Sequence, residues 1–366
     1  METVVAELQD RISSPSILDW TRTSDLASQL KGQSVFAPLH TSPQLPYVNR
    51  SVDLVVVRQA DRAMLKEARR IASSAVIKIN GAGVSDVEWI DRPPSHAPSA
   101  SIVIVHRNGI ANTERCLDGL LETISPSPDV NVLLIDDSLI DESAPLSRRM
   151  RSRGDRLQII RNPRPLGIVA SRNRGARKAK SELIIFLDSD SLPTNGWLHP
   201  LLRMFAPHSD AGVVGGKLVS ADGRLRAAGG IVFSDGSTAN FGECEQRVDA
   251  PLFNHTRDID YCPSGLLVTP RKLFTSLGGF DARFENEALA DADYCFKVWN
   301  SGHRVVYQPD SLVVHNGSDN PPTDVSATTR KLFGQTWESV LRTRPHRPAR
   351  LDGPTWQALG VREPWE

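Results

Sequence analysis

The sequence predicts an α/β protein, a mostly parallel sheet with helices on both faces, preceded by a small N-terminal α/β domain. Three observations carry this expectation. Beyond residue 100, short continuous apolar runs alternate with helical stretches, the pattern of parallel strands buried on both faces. Prolines and serines crowd residues 92–101 (RPPSHAPSAS), which marks a linker. The residues before it carry a strand–helix–strand pattern of their own.

Composition narrows the class. Lys+Arg and Asp+Glu both number 43, so the formal net charge is zero. Nucleic-acid binders carry a basic surplus, so no nucleic-acid partner is expected. Cys116, Cys244, Cys262 and Cys295 are scattered without CxxC spacing and are read as reduced residues of a cytoplasmic protein. No apolar run approaches the ~18 residues of a membrane span, and METVVAELQD lacks the apolar core of a signal peptide.

In the first segment, VDLVVVR (52–58) and AVIKIN (75–80) are expected strands, with a helix over 60–74 between them. The run LPYVNRSVDLVVV (45–57) resembles the later half of a nucleoside-dependent methyltransferase sheet, but the glycine-rich cofactor loop is absent. The segment is therefore expected to be a remnant or docking domain that binds no methyl donor.

After the linker, SIVIVHR (101–107), NVLLIDDS (131–138), RLQIIRN (156–162) and ELIIFLDSD (182–190) are expected strands. The stretch 112–124 is a helix with Cys116, Leu117, Leu120, Leu121 and Ile124 as its apolar stripe. Residues 222–237 are turn-rich, 258–270 suggest a strand entering a loop, and 271–281 a short helix with a glycine stop. A helix is expected over 290–302, with Ala292, Cys295, Phe296 and Trp299 on its apolar face. Two short strands are expected over 303–317 and an amphipathic helix over 328–344, followed by an extended proline-bearing tail.

In such sheets ligands bind outside the carboxyl ends of the strands, which directs attention to acidic residues there. Asp188 and Asp190 close one strand and offer hard oxygen ligands to Mg2+ or Mn2+. The competing readings are turn-capping aspartates and an aspartyl-phosphate phosphatase, whose DxD motif belongs on a first strand. Asp136 and Asp137 close another and can accept hydrogen bonds from a nucleobase or ribose. A phosphorylation-receiver domain has a similar aspartate pair but is far shorter. Arg172, Arg174 and Arg177 between them suit phosphate or base contacts, or form a solvated helix face.

Taken in order, IVIVHRN, LLIDDS, NPRPLG, SRNRG, LDSDSLPTNGWL, DYCPSGLLVTPRKLFTSLGGFD and GHRVVYQPDSLVVHNG resemble the family 2 glycosyltransferases. These are inverting enzymes of the GT-A fold, and the rhamnosyltransferase-like branch is nearest. The resemblance spans roughly residues 100–340. It implies that Asp136 contacts the base, Arg172 the donor and Asp188 ribose or metal. It also implies that Asp190 ligates the metal, with His315 as a late ligand. The family's catalytic base follows a glutamate at a helix start; here Asp291 is kept, as the expected base, and Ala290 replaces the glutamate.

The expectation is a metal-dependent (Mn2+ or Mg2+) inverting transferase taking a sugar from a dTDP- or UDP-sugar donor to a hydroxyl acceptor. The acceptor is a glycan, a lipid-linked molecule met from the membrane surface, or a small molecule, and a homodimer is compatible with the sequence. The boundaries are 1–92 (accessory), 93–100 (linker), 101–345 (transferase) and 346–366 (extension). The rival reading is a noncatalytic nucleotide-sugar-binding scaffold whose acceptor site has decayed around Ala290.

Overall fold

A computed structural model describes residues 98–107, 109–124, 129–139, 156–205, 209–316 and 325–360 continuously. It also describes the strands within 16–19, 33–36, 52–58, 72–80 and 83–89, and single residues 65, 68 and 148. The N-terminal decapeptide, linker residues 92–97 and most of the helix expected over 60–74 lie outside the described residues. The chain divides into two compact units. One comprises Met1–Ala97, Arg203–Asp210 and His255–Arg257; the other comprises Pro98–Leu202, Ala211–Asn254 and Asp258–Glu366.

The first unit holds β1 (Ser16–Asp19), β2 (Gln33–Phe36), β3 (Val52–Arg58), β4 (Ala72–Asn80) and β5 (Gly83–Trp89), in the order β2-β1-β3-β4-β5. The pairs are parallel except the β4–β5 hairpin. Val55, Val56, Val57, Val76 and Ile77 are fully buried, as the unbroken apolar runs of β3 and β4 require. Residues 72–74, expected in a helix, belong to β4; their Ala-Ser-Ser sequence gives no β signal, and pairing with Val52 decides.

The strands of the second unit are β6 (Ala100–His106), β7 (Val130–Asp136), β8 (Leu157–Arg161), β9 (Leu183–Asp188), β10 (Ser191–Pro193), β11 (Ala211–Ser220), β12 (Leu225–Ala227), β13 (Gly230–Val232), β14 (Thr238–Asn240), β15 (Arg257–Asp258), β16 (Leu266–Pro270) and β17 (Arg304–His315). The helices are α1 (Ile110–Thr123), α2 (Ile168–Lys178), α3 (Leu198–Arg203), α4 (Arg271–Ser276), α5 (Glu287–Asn300), α6 (Ala327–Thr336), α7 (Glu338–Leu341) and α8 (Gly353–Gly360).

The main sheet runs β10-β17-β11-β16-β9-β6-β7-β8, with β12 on β11 and β15 on β17. It is mixed. β8, β7, β6 and β9 are parallel, whereas β16 and β10 enter antiparallel. In register, Asp136 faces His106 and Asp188 faces Val105, so the acidic strand ends share one edge. Helix α2 lies close on the sheet because Gly175 faces Val103 and Ile135; a Cβ there would stand 2.3 Å from Val103 Cγ1. Phe186, Phe274, Phe280 and Tyr294 stack with centroids 4.9–5.4 Å apart and join β9, α4 and α5 into one core.

Four local expectations need correction. Helix α5 begins at Glu287, not near 290, because Asn286 caps it by accepting the Leu289 N–H. It is buried on nearly every side and not amphipathic, since Leu289, Tyr294 and Val298 are enclosed as well as the expected stripe. The two strands over 303–317 are one, β17. Pro309 has no N–H for the ladder, so the register jumps from Gln308 to Leu312 as a bulge. The C-terminal helix breaks at Trp337, whose indole is drawn inward to Asp293, and α8 occupies the tail expected to be extended. Asp352 caps α8, Pro354 is tolerated in its first turn, and Trp356 packs on Phe241 at 5.4 Å.

The C-terminal segment is tied to β13 and β14 by a buried ion pair. Arg344 Nη1 lies 2.7 Å from Asp260 Oδ1, and Asp260 Oδ2 accepts the Val232 N–H. Removing one partner of such a pair strands the other charge. Arg344→Met should therefore lose about 3–5 kcal/mol of unfolding free energy in urea titrations. Arg344→Met/Asp260→Asn should recover a large part of it. A single variant as stable as wild type would show that the pair does not hold this segment.

Candidate functional site

The site begins where β9 ends. Asp188 and Asp190 are two residues apart, and β10 starts at Ser191, which pairs with His315 at the end of β17. This register brings the imidazole to the carboxylates. His315 Nε2 lies 3.2 Å from Asp190 Oδ1 and 3.7 Å from Asp188 Oδ2. One ligand atom from each of Asp188, Asp190 and His315 lies within 4.8 Å of the others. The sequence predicted all three, and the fold brings them together.

The donor set fits a hard divalent cation: two carboxylates and an imidazole. Asp190 Oδ1 is buried and has no aligned hydrogen-bond donor, despite the nearby His315. An ion would satisfy it. Burial raises the Asp190 carboxyl, and the neighbouring Asp188 charge adds to that against the pull of His315. Burial also opposes ionisation of Asp188, but the neighbouring His315 imidazole and the Arg172 guanidinium outweigh it and hold that carboxyl at about 2. An anionic Asp188 beside a constrained Asp190 is a pair waiting for positive charge.

Arg172 supplies part of that charge. Buried in α2, its Nη2 donates to Asp188 Oδ1 at 2.7 Å and pairs with Glu287 Oε2 at 2.9 Å. Its guanidinium is thus committed to two carboxylates of the protein. Arg174 bonds the Arg161 carbonyl, and Arg177 is exposed on the far turn of α2.

Asp291 lies on α5, in its second turn and not at the helix start. It is 3% exposed; Oδ2 accepts the Ser264 N–H at 2.8 Å, and Oδ1 is buried without a partner. Burial pushes this carboxyl up to about 7, against the lowering effects of Arg172 and Ser264. Glu287, one turn earlier on the same face, adds to the rise. Asp293 faces elsewhere: it accepts from the Trp337 indole at 3.0 Å and pairs with Lys297 at 2.6 Å.

Asp136 stands two strands from Asp188, about 10 Å across the sheet, and the fold does not gather it into the cluster. Its oxygens are engaged: Oδ1 by the Ser138 N–H and hydroxyl, Oδ2 by Arg161 Nη1 at 2.9 Å. Asp137 is the organiser of the adjoining loop. It accepts from Asn162 and from the Leu166 and Gly167 N–H groups, fixing the entry to α2.

Sequence reasoning missed Glu287, Ser264 and the role of Asp137. The spacing of Glu287 and Asp291 by four residues was readable as one helix face, once α5 was known to start at Glu287. Ser264 has no local signal; only the packing of its turn on α5 reveals it.

Comparisons with known proteins agree with this architecture. The family model described as Glycosyl transferase family 2 matches residues 101–257. A pre-mycofactocin glycosyltransferase of Mycobacterium tuberculosis is 27% identical over 234 residues, 62% of this chain and 44% of that protein. A probable N-acetylgalactosaminyltransferase 9 of Caenorhabditis elegans is 26% identical over 267 residues, 66% of this chain and 45% of that protein. The chain thus spans less than half the length of these relatives. The crystal structure of GalNAc-T7 with UDP, GalNAc and Mn2+ superposes with a TM-score of 0.53 at 20% identity, covering 66% of this chain and 48% of that one. The larger unit thus has the GT-A fold, and its residues 101–257 match the glycosyl transferase family 2 model.

Proposed function

We propose that this domain is a metal-dependent inverting glycosyltransferase that moves a sugar from a nucleoside-diphosphate donor, a dTDP- or UDP-sugar, to a hydroxyl acceptor. The observation that carries the reading is the placement of a buried carboxyl, Asp291, beside Arg172, whose guanidinium also pairs with Asp188 of the Asp188–Asp190–His315 cluster. Support also comes from the sugar-transferring relatives and from the Mn2+ and UDP in the GalNAc-T7 structure.

The nucleotide would lie along the carboxyl edge of the sheet, its base toward the Asp136–Arg161 pair. The diphosphate would lie at Asp188, Asp190 and His315. Mn2+ or Mg2+, held by Asp190, His315 and Asp188, would neutralise charge building on the departing diphosphate. Arg172 orients Asp188 and keeps Glu287 at the rim. Asp291 accepts the proton of the acceptor hydroxyl as its oxygen attacks the anomeric carbon opposite the leaving group. A base with a value near 7 suits this, since efficiency peaks when the pKa lies near working pH. Residues 1–92 would act as an accessory domain, and a lipid-linked acceptor would be met at a membrane surface. Ala290 favours the rival scaffold reading; donor turnover by the purified chain decides between the two.

Nucleotide binding should depend on the cluster. In calorimetry, Asp190→Ala and His315→Ala should each weaken Mn2+-dependent UDP or dTDP binding by at least about tenfold. Unchanged affinity in both would remove the cluster from donor binding.

Turnover should depend on Asp291. Asp291→Asn should slow transfer roughly a hundred- to ten-thousand-fold while donor binding survives. Asp293→Asn should be much milder. The wild-type rate should fall about tenfold per pH unit below pH 7. A flat profile between pH 5 and about 7, or an active Asp291→Asn, would exclude Asp291 as the base.

The same residue makes a stability prediction. A folded value near 7, above the ordinary ~3.9, means that the native state binds more protons than the unfolded chain between these limits. Stability is therefore lost as pH rises through that window. Asp291→Asn should melt above wild type at pH 8 and level with it near pH 4. The opposite ordering would contradict a buried, proton-holding Asp291.

A further inference from the structure

We propose that the turn Pro263–Ser264–Gly265 is a positioning device that sets the base against the metal carboxylates: Ser264 fixes Asp291, and Gly265 leaves the clearance Asp188 needs. The proposal rests on the reading of Asp291 as base and of Asp188 as part of the metal cluster.

The turn leads into β16, which runs antiparallel to β9 with Leu266 opposite Leu187. Gly265 therefore arrives beside Asp188. A Cβ at this glycine would stand 3.1 Å from Asp188 Oδ2 and 3.2 Å from Leu218 Cδ1, tight enough that one of them must give. Asp188 has no slack on its other side, where Oδ1 is held by Arg172 at 2.7 Å. A side chain at position 265 would thus push on the oxygen nearest His315.

The preceding residue reaches the other centre. Ser264 is 2% exposed, and its N–H donates to Asp291 Oδ2 at 2.8 Å. With Oδ1 of Asp291 unpartnered, Ser264 is its hydrogen-bond donor among the described residues. The turn itself is clamped. The Cys262 N–H donates to Cys295 Sγ at 3.4 Å, the Cys262 thiol donates to the Leu266 carbonyl at 3.2 Å, and the Leu266 N–H closes on the Pro263 carbonyl at 3.2 Å. One rigid turn therefore touches both halves of the site.

Other groups facing Asp291 are Arg172 from α2, Glu287 and Cys295 from α5, and Tyr261 and Cys262 from the strand-to-turn segment. Burial keeps Tyr261, Cys262 and Cys295 neutral. Ser264 bonds neither Arg172 nor Glu287 among the described residues, so an effect of its substitution on Asp291 reports the turn.

The test needs no acceptor. In protein labelled with 13C-carboxyl aspartate, the resonance missing from Asp291→Asn identifies Asp291. Ser264→Pro, which removes the donating N–H, should raise the titration midpoint of that resonance by about half a pH unit or more, while Mn2+ affinity in calorimetry stays within about twofold of wild type. Gly265→Ala should weaken Mn2+ binding about tenfold and leave the Asp291 midpoint in place. If Gly265→Ala does not fold, Leu218→Ala/Gly265→Ala relieves the Leu218 contact and leaves Asp188 as the group displaced. An unmoved midpoint in Ser264→Pro, or unchanged Mn2+ affinity in the Gly265 variants, overturns the proposal. A catalytically inactive wild type with these shifts intact would instead remove the role of Asp291 as base and leave the positioning standing.

Discussion

The structure turns on one electrostatic problem: Asp188, Glu287 and Asp291 gather around the buried Arg172, with Asp190 beside Asp188 at His315. Burying charge without compensation is costly, and one guanidinium cannot neutralise three carboxylates. The solutions differ by position. Asp188 takes the arginine and stays anionic, whereas Asp291 keeps its proton to about pH 7. Glu287 remains half in solvent, and Asp190 is left with an unsatisfied oxygen. In the proposed function, a divalent cation and a proton-accepting step are the two ways in which the remaining imbalance becomes chemistry.

The surrounding fold exists to hold these groups at fixed separations. β9 and β17 run in the same direction and bring the carboxylates and histidine of the proposed metal site together at their carboxyl ends, and the short β10 pairs with β17 to fix their register. Helix α2 brings Arg172 close because Gly175 lets it sit against Val103. Helix α5, enclosed by aromatic rings on several sides, holds Asp291 with little freedom. Its far face is braced by Trp337 through Asp293, so the C-terminal segment supports the helix that carries Asp291, the proposed base.

Much of this was legible in the sequence because its signals are local. Unbroken apolar runs located β3, β6, β7 and β9, and acidic residues at their ends located the cluster. Asp188, Asp190 and His315 were named before any geometry, although their convergence depends on a long-range strand pairing. Errors arose where tertiary contact overrides local pattern. Ala-Ser-Ser became strand through pairing with Val52, Trp337 broke a helix to reach Asp293, and buried Trp356 organised a proline-bearing tail into α8. The start of α5 was readable from the Asn286 cap. The role of Ser264 was not, because nothing near it in sequence announces that its turn packs on α5.

The central claim is that Asp188, Asp190 and His315 hold the metal that meets the donor diphosphate. Anomalous scattering at the manganese edge, from crystals grown with Mn2+ and UDP, tests it directly. The account predicts a peak within ligand distance, about 2–2.5 Å, of Asp190 and His315, with diphosphate oxygens on its open side. UDP bound without any peak there, or Mn2+ seated elsewhere on the chain, would contradict it.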